Sequence, residues 1–150
     1  MPHIAETRAL RWSPEQMFAL VADVKRYPEF LPWVVATRVR SDDGCEMVAD
    51  MVVGFKALRE SFTSKVRKAS PERIEVDYID GPLKALHNLW SFHPDDSLAA
   101  GGCRIDFSVD FQFRSAVFEA LAGHYLDRAF RKMVAAFEAR AESLYGAAAA

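Results

Sequence analysis

The stretch CRIDFSVDFQFR, Cys103 to Arg114, decides the fold of this chain because apolar and polar side chains alternate along it without a break. One face of the stretch carries Cys103, Ile105, Phe107, Val109, Phe111 and Phe113. The other face carries Arg104, Asp106, Ser108, Asp110, Gln112 and Arg114. Successive side chains of a β-strand point to opposite faces of a sheet, so the pattern predicts a strand with one buried face and one wet face.

Several other stretches share this period of two. The alternating stretches between Val34 and Arg114 include EMVADMVVGF, LRESFTSKV, RIEVDYI and LHNLWSF, and His3 to Trp12 alternates in the same way. They are separated by the turn signals SDDG, ASPE, DGP and PDDSLAAGG. Because short connections favour antiparallel neighbours, the sequence predicts an antiparallel sheet of about seven strands.

Two segments instead have the period of 3.6 that is typical of helices. The first begins at Ser13, a good N-cap followed by a proline, and is expected to stop before Pro28. The second is predicted from an N-cap at Ser115 to about Leu144, and the tail 147–150 is expected to fray. The long helix is the element able to cover the apolar face of a curved sheet. We therefore predict an α+β fold with an apolar cavity between sheet and helix.

The bulk composition is that of one globular domain, which we place at residues 1–146. The chain has 150 residues, of which 51% are hydrophobic and 27% are charged. The sequence shows neither an apolar run of the ~18 residues that a membrane span needs nor the pattern of a signal peptide, so we expect a cytoplasmic, bacterial protein. A net charge of -2 argues against DNA binding, and Cys45 and Cys103 are interpreted as reduced packing residues.

The sequence offers no motif that indicates catalysis or a metal centre. The histidines are His3, His87, His93 and His124, and no pair of them has the spacing of a zinc protease. Serine and cysteine nucleophile signatures, a P-loop and a dinucleotide-binding glycine motif are also missing from the sequence. We therefore expect no catalytic residue, metal ligand or cofactor, and predict that the protein is not an enzyme.

Two polar residues fall on faces that are predicted to be buried. By alternation Glu60 shares a face with Leu58 and Phe62, and Asn88 falls between the apolar side chains of LHNLWSF. In one interpretation both lie near a strand end and are partly hydrated. In the other they provide sparse polar contacts within an apolar ligand pocket. A buried carboxylate costs several kcal/mol or becomes protonated, so Glu60 needs a partner or water.

The predicted inner face is unusually rich in aromatic side chains. Its aromatic residues are Phe55, Phe62, Tyr78, Trp90, Phe92, Phe107, Phe111 and Phe113. A large core accounts for most of them. One helix is a narrow cover for so wide a face, however, and the excess favours a flat, apolar guest.

Five stretches carry a resemblance to a known family. They are DVKRYPEFLPWV, ESFTSKV, GPLKALHNLWSF, GCRIDFSVDFQF and FRKMVAAFEARA, which begin at Asp23, Glu60, Gly81, Gly102 and Phe130. With them the chain resembles, over essentially its whole length, the coenzyme Q-binding proteins and the RatA-type ribosome-association toxins of the START-like, polyketide cyclase superfamily. The resemblance implies a helix-grip fold, in which seven antiparallel strands wrap around the C-terminal helix. It also implies that a polyprenyl quinone binds in the cavity, with Leu86 and Trp90 in its lining.

The leading hypothesis from the sequence is a non-enzymatic carrier or chaperone for ubiquinone or a related isoprenoid lipid, which supports respiration. Ubiquinone is here a bound ligand and not a cofactor. The residues expected to bind it are Trp33, Met51, Phe55, Leu58, Glu60, Phe62, Leu86, Asn88, Trp90, Phe107, Leu121, Leu126 and Phe130. The segment from Tyr27 to Trp33 is expected to form a short second helix and turn, in which Tyr27 and Phe30 gate the cavity; a rigid core cap is the alternative.

Two other functions stay open at this point. A RatA-like toxin would bind a ribosomal subunit and inhibit subunit association, and it would need a positive surface for rRNA phosphates. The residues to examine for such a surface are Arg38, Arg40, Lys65, Arg67 and Lys68. The third alternative is a polyketide cyclase-like enzyme, for which the sequence offers no convincing acid–base pair. Peripheral contact with the inner face of the membrane is compatible with a lipid carrier.

Overall fold

A computed structural model describes residues 3–55 and 58–146. The strands are β1 (His3–Leu10), β2 (Val34–Asp42), β3 (Glu46–Phe55), β4 (Leu58–Ala69), β5 (Arg73–Asp80), β6 (Leu83–Pro94) and β7 (Cys103–Phe113). The helical elements are α1 (Pro14–Ala22), a 3-10 helix (Val24–Glu29) and α2 (Ala116–Tyr145). All seven strands form one antiparallel sheet in the order β1-β7-β6-β5-β4-β3-β2, which confirms the predicted α+β architecture.

The order of the strands explains where the helical elements lie. Strands β2 to β7 form a meander, whereas β1 pairs with β7 at the opposite edge, from His3 beside Asp110 to Leu10 beside Cys103. The chain between β1 and β2 must therefore cross the full width of the sheet. It does so through α1 and the 3-10 helix, and α1 contacts both the sheet and α2.

The period-two pattern of β7 translates directly into burial. The side chains of Cys103, Ile105 and Val109 are fully buried, and those of Phe107 and Phe111 are almost so. The intervening residues of the strand are half-buried or exposed. The inner face of β7 is thus the centre of the hydrophobic core, as the alternation predicts.

Helix α1 begins where the sequence predicts it. The hydroxyl of Ser13 accepts a hydrogen bond from the Gln16 backbone N–H at 3.1 Å, and the Gln16 side-chain oxygen accepts one from the Ser13 N–H at 2.9 Å. This capping box satisfies two backbone donors that would otherwise lack partners. On the buried side of α1, the ring of Phe18 meets Phe92 of β6 edge to face at 5.7 Å.

The short second helix lies earlier than predicted. It spans Val24–Glu29 and contains Pro28, whereas the sequence was interpreted as a helix and turn from Tyr27 to Trp33. A proline is compatible with this helix because the fixed φ of its ring suits a 3-10 conformation. The buried side chains of Val24 and Tyr27 hold the segment against the core. The residues after Glu29 form the turn that leads into β2.

Helix α2 lies along the concave face of the sheet. Its buried side chains are Leu126, Ala129, Val134, Phe137 and Ala141. Val117 and Leu144, apolar residues near the two ends of α2, are exposed at 71% and 50%, so the buried stripe does not extend along the whole helix. The 30 residues of α2 extend for about 45 Å, whereas the 11 residues of β7 extend for about 37 Å. The helix is therefore longer than β7, one of the strands that it contacts.

Candidate ligand-binding site

A cavity of about 120 Å³ lies between the concave face of the sheet and α2. Strands β3 to β6 and helix α2 contribute most of its wall, and α1, the 3-10 helix and the turn before β2 contribute the rest. Nine residues that were predicted to bind or gate a ligand line it: Tyr27, Trp33, Met51, Phe62, Leu86, Asn88, Trp90, Leu126 and Phe130. These nine residues come from strands β3, β4 and β6, the 3-10 helix, the turn before β2 and helix α2.

Ten further lining residues were not singled out from the sequence. They are Val21, Val24, Ala49, Val53, Ser64, Val66, Ile74, Val76, Ala129 and Met133. Those on β3, β4 and β5 share the alternating faces already identified, so the period of two could have found them. The alternation shows which face is buried but not how close to α2 each side chain lies.

Trp90 is the most firmly held aromatic residue of the cavity wall. It is 2% exposed and packs edge to face against Phe107 at 4.7 Å and against Phe137 of α2 at 5.1 Å. Its ring also stacks parallel to Phe92 at 6.4 Å. Edge-to-face pairs of this kind contribute about 0.5–1.5 kcal/mol each beyond the area that they bury. Trp90 therefore joins the sheet to the helix and at the same time presents part of its surface to the cavity.

Asn88 brings a polar group to this apolar wall. Its Oδ1 accepts a hydrogen bond from Trp90 Nε1 at 2.9 Å, and its Nδ2 donates one to the backbone carbonyl of Ser108 at 2.8 Å. Ser64 of β4 is the other residue with a short polar side chain in the described lining. That lining contains no Asp, Glu, Lys, Arg or His.

Tyr27 is an anchored part of the wall. Its hydroxyl donates a hydrogen bond to the backbone carbonyl of Val21, and burial, with a smaller contribution from Asp23, raises the pKa of the phenol far above its usual value. The phenol ring packs edge to face against Phe137 at 5.3 Å. The hydroxyl is therefore protonated at every physiological pH, and its hydrogen bond holds the ring in place.

Three predicted site residues do not line the cavity. Phe107 lies beside Trp90 on the neighbouring strand, is almost fully buried and does not line the cavity. Glu60 is half-buried near the start of β4, which agrees with the interpretation of a partly hydrated strand end. Phe30 faces a separate surface groove, where the guanidinium of Arg140 lies 5.1 Å from its ring centre. Alternation and segment position alone could not distinguish these places from the cavity.

Three other predicted residues have side chains outside the described part of the structure. They are Phe55, Leu58 and Leu121, and the predicted frayed tail 147–150 also lies outside the described residues. The backbones of Phe55 and Leu58 are paired at the end of the β3–β4 hairpin. Their predicted contact with a ligand stays a prediction.

The basic residues considered for an RNA-binding surface are largely paired with carboxylates. Arg40 contacts Asp50 at 2.8 Å and Lys65 contacts Glu46 at 2.8 Å. Arg67 lies 2.9 Å from Glu75 and also contacts Asp77, and Lys68 contacts Asp42 at 2.9 Å. Hydrogen bonds from Thr63 and then Arg40 hold the pKa of Asp50 below its usual value, so its charge persists to acidic pH. The positive surface that the sequence suggested is therefore substantially neutralised.

The outer face of the sheet also groups Glu75, Asp77 and His87, whose ligand atoms all lie within 4.8 Å of one another. The sequence does not show this cluster, because cross-strand register brings β5 and β6 together here. Glu75 accepts a hydrogen bond from His87 at 2.7 Å, and that bond, followed by the charge of Arg67, lowers the pKa of Glu75. Arg67 contacts both carboxylates, so a guanidinium already supplies the positive charge that they require.

The concave sheet, the gripping helix and the cavity between them define the START-like, helix-grip class of proteins. The chain belongs to the polyketide cyclase / dehydrase and lipid transport family, whose sequence model matches residues 10–138. The family resemblance found in the sequence is thereby confirmed.

Two relatives and two solved structures illustrate the range of this family and fold. The ribosome association toxin RatA of Escherichia coli is 35% identical over 98% of this chain and 91% of the toxin. The mitochondrial coenzyme Q-binding protein COQ10 homolog B of Xenopus laevis is 34% identical over 95% of this chain and 59% of its own length. The solution structure of the 18 kDa protein CC1736 from Caulobacter crescentus is 38% identical, with a TM-score of 0.75 and coverage of 98% of this chain and 100% of that chain.

The aromatase/cyclase Zhui from Streptomyces shows that enzymes share the fold. Its crystal structure has a TM-score of 0.80 with this chain, covering 94% and 93% of the two chains, at 15% identity. At this level of sequence identity the similarity shows a shared fold and nothing about function. In the described part of the chain, no helix is both long enough and apolar enough to cross a membrane.

Proposed function

We propose that the protein binds an isoprenoid quinone such as ubiquinone between its sheet and α2, as a non-enzymatic carrier or chaperone that supports respiration. The observation that carries this proposal is the cavity, whose described lining is apolar apart from Tyr27, Ser64, Asn88 and the indole N–H groups of Trp33 and Trp90. Ligand sites commonly combine such apolar walls with a few oriented polar groups. A relative that is named for coenzyme Q binding adds independent support.

The size of the cavity indicates how the ligand would be accommodated. Sites for drug-sized molecules typically enclose about 300–1,000 Å³. The cavity is smaller, at about 120 Å³, and a cavity of about 150 Å³ holds a benzene molecule, so a substituted quinone ring fits only if the wall moves outward. A longer isoprenoid tail requires α2 or a neighbouring turn to move outward, or it must continue outside the cavity. Burial of ~300 Å² of tail would give roughly 7 kcal/mol of gross driving force, before the cost of association is subtracted.

The direct test is to purify the protein from a quinone-producing host, extract it with organic solvent and identify the lipids by mass spectrometry. We expect a quinone that co-purifies in a fixed ratio to the protein. The protein stripped of lipid should then bind added short-chain ubiquinone. Quenching of the fluorescence of Trp33 and Trp90, which line the cavity, would measure this binding. Absence of quinone from the extract, together with no binding of added quinone, would reject the proposal.

Ribosome binding is the second candidate, because a relative covering almost the whole chain is named a ribosome association toxin. Ion pairs oppose a general attraction to phosphates, since Arg40, Lys65, Arg67 and Lys68 each already contact a carboxylate. Co-sedimentation with ribosomal subunits at low and moderate salt tests it. Binding that falls steeply with salt, and that weakens when Arg38 and Arg67 are replaced by glutamine, would support this function.

A cyclase-like activity has less support. The only titratable side chain in the described lining is Tyr27, and its hydroxyl is held by the carbonyl of Val21.

The location that best fits quinone binding is the cytoplasm, where the carrier would touch the inner face of the membrane while it collects or releases its lipid. Flotation of the protein with lipid vesicles would test that contact.

A further inference from the structure

The amide of Asn88 has a defined orientation inside the cavity. An indole N–H can only donate a hydrogen bond, so the atom of Asn88 facing Trp90 must be the oxygen Oδ1. A backbone carbonyl can only accept, so the atom facing Ser108 must be the nitrogen Nδ2. The two partners lie on opposite sides of the amide and give the same assignment. The hydrogen-bonding groups that Asn88 presents to the cavity are therefore known.

These two contacts use only part of the hydrogen-bonding capacity of the amide. A primary amide has two N–H donors and an oxygen with two lone pairs, and one donor and one lone pair are engaged. The cross-strand partners of Asn88 are Val76 and Val109, which offer no polar side chain. A polar ligand atom in the cavity would therefore meet the second N–H without competition from these neighbours.

Ser64 supplies a second polar group on another part of the wall. It lies on β4, two strands from Asn88 on β6, and neighbouring strands are about 4.8 Å apart. The register also offsets them by two residues along the strands, so the two side chains approach the cavity from positions about 12 Å apart. They are suited to two separate oxygen atoms of one ligand, and less suited to a single shared atom.

Building on the ligand class proposed above, we propose that Asn88 and Ser64 select a head group that carries hydrogen-bond acceptors and hold it inside the cavity, so that the lipid enters head first. The fixed amide donates its second N–H to one carbonyl or ether oxygen of the head group, and the Ser64 hydroxyl donates to another. An apolar setting strengthens such bonds, and an unmatched polar group within it is costly. The site consequently discriminates against an isoprenoid hydrocarbon that has the same tail but no oxygen.

The test compares two ligands on one set of variants. Short-chain ubiquinone and an isoprenoid hydrocarbon of matched tail length are titrated into the protein, Asn88→Leu and Ser64→Ala, with the ratio of their Kd values as the readout. We expect the protein to prefer the quinone by at least about tenfold, Asn88→Leu to abolish most of that preference, and Ser64→Ala to reduce it. If Asn88 has a merely structural role, Asn88→Leu would weaken the binding of both ligands equally and leave the ratio of their Kd values unchanged. That result would overturn the inference.

The design separates this inference from the proposed function. Failure of the protein to bind either ligand rejects the proposed function, whereas equal binding of both ligands rejects only head-group selection. If Asn88→Leu does not fold, the infrared band of the carbonyl groups of quinone bound to the unmodified protein decides the matter. A shift to lower wavenumber relative to quinone in hydrocarbon solvent is expected for hydrogen-bonded carbonyls, and an unshifted band would refute the inference.

Discussion

Filling the cavity from α2 should stabilise the protein, and the sign of that effect tests whether the space is empty of side chains. Ala129 is buried on α2 and lines the cavity. Ala129→Leu adds three carbon atoms, which correspond to about 2.4 kcal/mol at ~0.8 kcal/mol per buried methylene. Ordering the longer side chain costs about 0.5–1 kcal/mol. We therefore expect a net gain in the free energy of unfolding of about 1.5–2 kcal/mol.

The same helix provides a matched control. Ala141 is fully buried on α2 but does not line the cavity. Ala141→Leu makes the same chemical change with the same difference in helix propensity, in a place that is already packed. Overpacking typically costs about 1–3 kcal/mol, so this variant should be less stable than the parent protein. The two substitutions are thus expected to have opposite signs.

Urea unfolding and thermal melting of lipid-free protein measure both effects. For a chain of this length, 1 kcal/mol corresponds to a change in Tm of about 2–4 °C, so Ala129→Leu should melt about 3–8 °C higher. It should also bind quinone more weakly, because the leucine occupies the space of the ligand. Destabilisation by Ala129→Leu similar to that by Ala141→Leu would mean that the interior is solid, and would remove the basis of the carrier proposal.

Three further predictions concern the anchors and charges of the fold. Trp90→Ala should lower quinone retention and reduce the free energy of unfolding by about 3–5 kcal/mol, with the circular dichroism of the folded state preserved; unchanged quinone retention in the folded variant would remove Trp90 from the site. Ser13→Ala should cost about 1 kcal/mol in urea unfolding, because α1 loses its cap; a loss below 0.3 kcal/mol would contradict the role of the capping box. The folded-state pKa values of Asp50 and Glu75 are lowered, so their contribution to stability is complete above about pH 5. The contribution begins to be lost as the pH falls through the ordinary values of 4.5 for Glu75 and 3.8 for Asp50, and it is gone below the lowered folded-state pKa values. Asp50→Asn should therefore be less stable than the parent protein at pH 7, and the difference should shrink as the pH falls below 3.8; a difference that does not change with pH would refute this assignment.

The sequence predicted the parts of the fold that depend on local rules. The alternation in β7, the cap at Ser13 and the long helix ending near Tyr145 are all properties of a few consecutive residues. The helix boundaries were less accurate around Pro28, because a proline is excluded from an α-helix interior but not from a 3-10 helix. Which of the two conformations forms was decided by the burial of Tyr27, a tertiary contact.

The candidate site was predicted only as a face of the sheet. Phe107 and Trp90 are cross-strand partners on the same inner face, yet Trp90 lines the cavity and Phe107 does not. Ser64, by contrast, was overlooked because a serine in an alternating strand carries no distinctive signal. Alternation assigns a side chain to one of two faces and contains no information about its distance from α2.

The surface charges likewise include features that the local sequence shows and features that only the tertiary structure reveals. Arg67 and Lys65 appear in the sequence as neighbours in a basic stretch, and nothing local shows that carboxylates from adjacent strands lie beside them. The antiparallel register places Glu46 beside Arg67 and Glu75 beside it on the other side. Close contacts between residues far apart in sequence change the electrostatic character of this surface.

By itself, the order of amino acids determined the seven strands, the capped first helix and the family, because these follow from periodicity and from short motifs. The tertiary structure alone decided that a space exists under Ala129, that the amide of Asn88 faces it in one orientation, and that Arg40, Lys65, Arg67 and Lys68 are paired with carboxylates. These features depend on how a curved sheet and a helix meet in three dimensions. The cavity exists because the side chains of the sheet and of α2 do not quite fill the space between them. No local pattern of residues shows how completely that space is filled.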